Sequence, residues 1–399
     1  MGGMKIARAF AVLFVTAACA GGPTQPPPSS GHVRLIEATA GEIAVIDSTT
    51  HLAIRHLPLG VPSANWQHLY SISGTALVDT DPASGLTRTT LQLPGSYQLP
   101  AATSSGLPGG TSPDGSWLVA QSFDGTATHF VVVGTTEMRI AHTANLTGHF
   151  NFDAISNDGQ RLYLIQYLNG REYYVRLFNV LAGTLDENIV VDKSNGEQSM
   201  SGLRLSGIAT PGGSWLFSMY VREQESPFIH ALSLDGPYAF CLDLPGSGYG
   251  SNASEMHWSI AMTETGDSIY AVNSATGVVA WIDNSQQYNP NVKRTVRLPG
   301  GTSARVGHNA AVLSRDGRSL VVAGSTGLDW IDVTTLAVRA RALTDWRVWS
   351  VGLSPDGNSV YAIDERGRVA EVGTSSGAVK SIFDPGVGRP IALMRVASA

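Results

Sequence analysis

Five positions in the chain share both a spacing and a chemistry. His149, Arg204, His257, His308 and Arg347 each lie nine or ten residues ahead of a glycine (Gly159, Gly213, Gly266, Gly317 and Gly357) that sits between two apolar runs. Equal spacing implies equal places in a repeated fold, so these side chains are expected to converge on one rim. Neutral imidazoles at His149, His257 and His308 would suit copper or zinc held between repeats. Only Glu255, two residues from His257, adds a carboxylate, and the two arginines would repel a cation. If anything binds there, an anion or another polar ligand fits the basic tint better than a metal, and no metal or other cofactor is assigned. The plain structural alternative is that the histidines bond to neighbouring loop backbone. Trp346 and Trp349 bracket Arg347 in "TDWRVWS", and Trp258 follows His257. Tryptophan beside arginine suits a sugar, a peptide or a protein interface. Trp117 and Trp215, each one place after "DGS" or "GGS", read instead as packing residues.

Several chemistries are excluded. "GSGYGS" (246–251) has the letters of a nucleophile elbow, but it follows "LDLPG" in a loop with no helix behind it. Gly-Lys-Ser/Thr, Cys-x-x-Cys and Cys-x-x-Cys-His do not occur. Lysine plus arginine number 26 against 32 acidic residues, for a net charge of −6 with no basic block, so nucleic acid is not an expected partner.

The turn glycines belong to a repeat. "SPDGSWLVAQ" (112–121), "SNDGQRLYLI" (156–165), "TPGGSWLFSM" (210–219), "TETGDSIYAV" (263–272), "SRDGRSLVVA" (314–323) and "SPDGNSVYAI" (354–363) are copies of one unit, with glycines 44, 54, 53, 51 and 40 residues apart. Asp-Gly between β-rich runs marks a hairpin, because the turn needs positive φ. A second hairpin follows, as in "GLDWIDVTTLAVRARAL" (327–343), so each copy is four strands. One such sheet cannot bury both faces, whereas copies packed around an axis can. The spacing suits blades of a β-propeller, and an all-β chain is expected. Asp47, Asp283 and Asp332, each ending an inner strand, read as caps of their own turns rather than as a catalytic ring. The longer loops at 96–112 and 221–228 are where specificity would reside.

Closure is also legible. "HVRLIEATAGEIAVID" reads as the second and third strands of a blade, and 391–396 reads as a first strand with nothing after it. A ring that mixes both termini in one blade accounts for both. Inner hairpins number eight, near 42–57, 75–93, 129–146, 173–191, 228–244, 278–298, 328–343 and 368–383. The second leaves little room before 66–73 for a full outer partner strand. Seven four-stranded blades are expected, with eight unequal ones as the alternative.

Ahead of the repeats, Lys5 and Arg8 precede an apolar run at 9–18 and then Cys19. Ten residues rise only about 15 Å as a helix, half a bilayer core, so the run is not a membrane span. It resembles a bacterial lipoprotein signal, in which the cysteine is acylated, although Thr16 stands where leucine is commonest. An ordinary secretory signal cut after Ala18 or Ala20 is the alternative. "AGGPTQPPPSSG" (20–31) has nothing to bury and reads as a tether. The expected organisation is a signal at 1–18, a lipidated cysteine and tether at 19–32, and a propeller at 33–399, in the bacterial cell envelope on its extracytoplasmic side. Cys241, the only other cysteine, reads as a buried inert thiol, so no disulfide staples the fold.

"SPDGNSVYAIDERGRVAEVGTSSGAV" (354–379) and "GDSIYAVNSATGVVAWID" (266–283) resemble the YVTN/NHL/WD40-like family of bacterial propellers, and the likeness runs over 33–399. The resemblance implies a binding or scaffold module for an envelope protein, a peptide or a glycan. It leaves open a metal-dependent, lactonase-like hydrolase at the central channel. Residues repeating at the strand starts are His, Arg and Trp, while carboxylates sit at turns. That pattern favours recognition over catalysis.

Overall fold

The computed structural model describes residues 31–192, 199–286, 289–298, 310–324 and 326–399. Its turns follow from their side chains. In "SRDG" the Ser314 hydroxyl donates to Asp316 at 2.6 Å and accepts from the Ser319 amide at 2.9 Å, while the Arg318 amide reaches the same carboxylate at 3.1 Å. Ser112 with Asp114, and Ser354 with Asp356, repeat the exchange. The chain reverses through glycine at positive φ, as at Gly159 (70°) and Gly317 (67°). It then enters strands such as Ser319–Gly324, buried along nearly its whole length. Burial on both faces is what a sheet sandwiched between two others requires.

Among the described residues the strands form eight sheets in sequence order. Eight apolar clusters join each sheet to the next, and one of them joins the last to the first: Tyr361, Ile363 and Val369 of blade 8 pack on Leu35, Ala44 and Ile46 of blade 1. The molecule is an eight-bladed β-propeller. Pro390–Ser398 is the innermost strand of blade 1 and pairs antiparallel with Val33–Thr39, from Thr39↔Pro390 to Val33↔Ser398. Glu42–Asp47 and Ala53–Pro58 follow outward. The termini therefore share a blade, and their junction takes the place of an Asp-Gly turn.

Two expectations about the blades change. The blades number eight rather than seven, because the partner strand missing from the second unit is an inner one, only Val61–Pro62 long. Two residues leave no periodicity to read. The hairpins taken as inner are also the outer pair of each blade, as Glu42–Asp47 and Ala53–Pro58 are in blade 1. The channel is lined by the strand that precedes each turn glycine.

Asp47, Asp283 and Asp332 cap their own turns, accepting from the amides of Thr49 and Thr50, of Ser285, and of Thr334 and Thr335. The Thr50 amide above all holds the Asp47 carboxyl down to about 2. Trp117 packs under the next blade, donating to the Asn157 carbonyl at 3.0 Å, and Trp215 lies in the core between blades 5 and 6. Cys241 is half-buried rather than buried, with its Sγ 3.8 Å from His230 Nδ1. The only helical turn among the described residues is Ala253–Met256, and none of their helices is long and apolar enough to cross a membrane.

Candidate binding site on the crossover rim

The outermost strand of each blade hands over to the innermost strand of the next along one rim. His149 immediately precedes Phe150–Ile155 of blade 4, and Arg204 is the second residue of Leu203–Ala209 in blade 5. His257 precedes Trp258–Met262 of blade 6, and Arg347 precedes Val348–Leu353 of blade 8. All four stand at the same strand end, but their surroundings differ. His308 and Cys19 lie outside the described residues.

His149 is exposed, with its ring stacked between Phe123 (centroids 4.6 Å apart) and Tyr167 (4.7 Å). Arg204 turns inward, and its Nη1 lies 3.0 Å from Oδ1 of the buried Asp153. His257 is buried and closes the turn Ala253–Met256 through its amide. Its neighbour Glu255 accepts from the Ser247 amide and from Trp258 Nε1. Trp346 is buried between blades 7 and 8, with the Arg368 guanidinium 4.5 Å over its ring. Trp349 donates from Nε1 to the Ile391 carbonyl at 3.1 Å. Arg347 projects into solvent, 3.6 Å from Glu365. His149, in its aromatic contacts, and the buried His257 do not share a site, and the call on His308 lies outside the described residues. Among the described residues no group of three or more His, Cys, Asp and Glu is placed to hold a metal.

What the rim does assemble is a cleft of about 560 Å³ between blades 4 and 5. Asn169 Oδ1 accepts from the Arg171 and Glu172 amides and shapes one wall. The other wall is the segment 221–228, braced by amides of a second loop: Tyr249 N to Arg222 O and Gly250 N to Glu223 O, both 2.9 Å. Here lies the reason for "GSGYGS". A Cβ on Gly248 would stand 2.1 Å from the Glu223 carbonyl oxygen, so those glycines permit loop-on-loop packing and have nothing to do with a nucleophile. Arg171 pairs with Glu223 at 3.0 Å, and Arg222 pairs with Glu225 at 3.2 Å while lying 4.1 Å over the Phe228 ring. Two arginines, Arg171 and Arg222, face three glutamates along the lining, so the cleft is slightly acidic and does not suit an anion.

The floor is aromatic. Tyr167 and Tyr173 line it and the buried Tyr220 lies beneath them, the three following His149 at centroid spacings of 4.7, 6.3 and 6.4 Å. Burial first, then Tyr220 and Asp153 nearby, push the Tyr173 phenol well above its ordinary range, and it stays neutral. Neutral phenols can donate hydrogen bonds and offer ring faces, but they make poor bases. Exposed Leu203 belongs to the lining, Leu168 is exposed beside Tyr167, and exposed Phe123 lies two blades along from Leu203.

A hairpin of blade 3 reaches across the rim to blade 5. Blade 3 has no continuous innermost strand. Gln98 and Thr111 pair with its first long strand, and residues 100–109 between them bulge out as a small hairpin closed by Ala101↔Pro108. Its tip crosses two blades, where the Ser104 amide donates to the Arg204 carbonyl at 2.8 Å. The segment 96–112, expected as a surface loop, is an interrupted inner strand with that hairpin in its middle.

Phe123, Tyr167, Arg171, Glu223 and Tyr249 were not singled out from the sequence. A usable signal existed for the aromatics. Phe123, Tyr167 and Tyr220 end or nearly end the second strand of blades 3, 4 and 5, where blade 6 carries Asn273 and blade 8 Asp364.

No protein-family model matches the chain, and no curated protein matches it in sequence. Solved propellers match its fold. The dihydro-heme d1 dehydrogenase NirN, in complex with DHE, is 12% identical with a TM-score of 0.56, covering 90% of this chain and 74% of that one. Apo AztD from Citrobacter koseri is 13% identical with a TM-score of 0.55, covering 92% and 97%. At such identity the likeness concerns the fold alone.

Proposed function

We propose that this propeller is a non-catalytic binding module of the YVTN/NHL/WD40-like type. In this reading it is exported by residues 1–18, held to a bacterial envelope membrane through an acylated Cys19, and takes a peptide segment of another envelope protein into the cleft between blades 4 and 5. The cleft carries the reading: an open, slightly acidic trough with tyrosine rings in its lining and the exposed Leu203 at its edge. Ring faces and aliphatic side chains suit apolar or basic side chains of a peptide, and the glutamates can accept from its amides or cations. The exposed leucine suits the hydroxyls of a glycan less well. The termini meet on the Asp-Gly turn side of blade 1, so the tether leaves from the side opposite the rim. Nothing observed favours a hydrolase in the channel: the 100–109 hairpin reaches across the rim and Asp153 is committed to Arg204.

The test is capture from detergent-solubilised envelope. Wild-type protein should retain a specific protein. Tyr167→Ala and Glu223→Lys should each release it at least tenfold, while Arg347→Ala should not. Equal retention by all four removes the cleft from the account. A glycan eluting in place of a protein would replace the peptide reading.

A further inference from the structure

Nine large apolar side chains are exposed among the described residues, and they are not scattered. Three of them, Phe123, Leu168 and Leu203, belong to the cleft sector. Leu181, on the outer side of blade 4, belongs to neither group. The other five lie on three consecutive blades: Val379 (45%) and Ile382 (51%) on blade 8, Leu52 (60%) and Ile54 (45%) on blade 1, and Leu86 (69%) on blade 2.

These three blades form one continuous outer edge. His51 of blade 1 stacks on Phe383 of blade 8 with centroids 4.1 Å apart and planes 4° from parallel. Arg55 of blade 1 reaches the carbonyls of Pro82 and Ala83 in the turn of blade 2 that leads to Leu86. The chain also enters the propeller here. His32 Nε2 lies 2.6 Å from Asp47 Oδ2, and Asp47 caps the turn that its own amide closes on the Leu52 carbonyl. The tether therefore starts on the same turn that exposes Leu52. Residues 19–31 span at most about 45 Å when fully extended, so an acyl chain on Cys19 stays within reach of this edge.

From these observations we infer that the edge formed by Leu52, Ile54, Leu86, Val379 and Ile382 rests on the surface of the bilayer that holds the acyl chain. The inference rests on the anchored reading above. Apolar groups of this number bind an interface weakly by themselves, but a short tether raises their effective concentration at the membrane enough for a weak contact to be occupied. Arg55, Arg88 and Lys380 lie on the same outer strands but are engaged within the fold, with the Pro82 and Ala83 carbonyls, Asp81 and Glu371 respectively, so the contact rests on the apolar side chains. In a ring of eight, blade 1 is opposite blade 5. The cleft between blades 4 and 5 is thereby carried on the far side from the membrane, open to its partner.

The experiment uses the full-length acylated protein in phosphatidylethanolamine–phosphatidylglycerol vesicles. An environment-sensitive fluorophore is placed on Leu52→Cys, Ile382→Cys or, as control, Leu181→Cys, each with Cys241→Ser. Labels at 52 and 382 should shift to the blue and be quenched severalfold more by lipids brominated near the headgroup than the label at 181. Equal, water-like emission at all three in protein that floats with vesicles would overturn the resting edge and leave the anchor standing. Shielding of 52 and 382 that persists without lipid would assign the edge to a second copy of the chain and also overturn it. The mass of the N-terminal peptide reads acylation separately, and an unmodified Cys19 would bring down the anchor and this inference together.

Discussion

At the residue scale, the type of a side chain was easier to read than its direction. Arg204 and Arg347 both stand at strand starts, yet one points into the blade 4–5 junction and the other is 67% exposed. The two are one register apart: Arg204 is itself in the ladder, opposite Tyr220, whereas in blade 8 the matching place opposite Asp364 is held by Val348 and Arg347 lies one residue before it, an offset hidden by treating nine and ten residues as one spacing. The consequence is measurable. Asp153→Ala leaves the half-buried Arg204 guanidinium without its carboxylate, and urea unfolding should show a loss of about 1–3 kcal/mol. Arg347→Ala removes a solvated pair and should change stability by no more than about 0.5 kcal/mol. Glu37 is a second residue that no motif announces. It is fully buried on the blade 1 strand Val33–Thr39, and burial, then the nearby Asp364, push its carboxyl up to about 8. Its folded value exceeds the unfolded one, so the native state holds the extra proton between the two. That contribution is complete below about pH 4.5 and fades as pH rises towards 8. Urea midpoints of the wild type should therefore fall across that window by more than those of Glu37→Gln, whose side chain never ionises. Parallel profiles for the two proteins would remove Glu37 from the pH response.

Elements were legible where the side-chain pattern repeats and obscure where the backbone improvises. The six turn glycines located six of the inner hairpins because Asp-Gly has a mechanism in its own backbone. Val61–Pro62 and the strand around Gln98 and Thr111 had no periodicity to show, since one is two residues long and the other is interrupted by a hairpin. The turns nevertheless carry different loads. At Gly159 (φ 70°) an added Cβ would fall 2.3 Å from the Trp117 ring, whereas at Gly317 (φ 67°) it would meet nothing within 4 Å. Alanine at Gly317 should cost only the strain of its left-handed backbone, about 1 kcal/mol. Gly159→Ala carries that strain and must also displace a tryptophan bonded to the Asn157 carbonyl, so it should cost about 1–3 kcal/mol more. Comparing the two by thermal unfolding separates backbone strain from packing between blades. Equal losses would mean that Trp117 yields freely.

For the whole molecule, closure is the property on which everything else depends, and it was legible because both termini look unfinished. A strand pattern lacking its first member at one end, and a lone first strand at the other, have one economical solution: the ladder from Thr39↔Pro390 to Val33↔Ser398. Deleting residues 388–399 removes that ladder and strips side chains from two interfaces at once, Leu393 and Val396 from blade 8–blade 1 and Met394 and Ala397 from blade 1–blade 2. Burial of leucine and valine alone contributes about 1.5–3 kcal/mol each, which with the lost hydrogen bonds approaches the whole stability of an ordinary domain. The truncated protein should show no cooperative urea transition, with near-UV CD collapsed. A circular permutant that joins 398 to 33 through an Asp-Gly turn and opens at the turn containing Gly377 should instead fold, because it restores in blade 1 the connection its neighbours already have. Opening there breaks only the outer hairpin of blade 8, whose Val379–Phe383 strand is half exposed. If the truncation unfolds with an unchanged midpoint, the shared blade is not what holds the ring. If the permutant fails while wild type folds, the order in which the termini find each other during folding matters as much as the closed contacts.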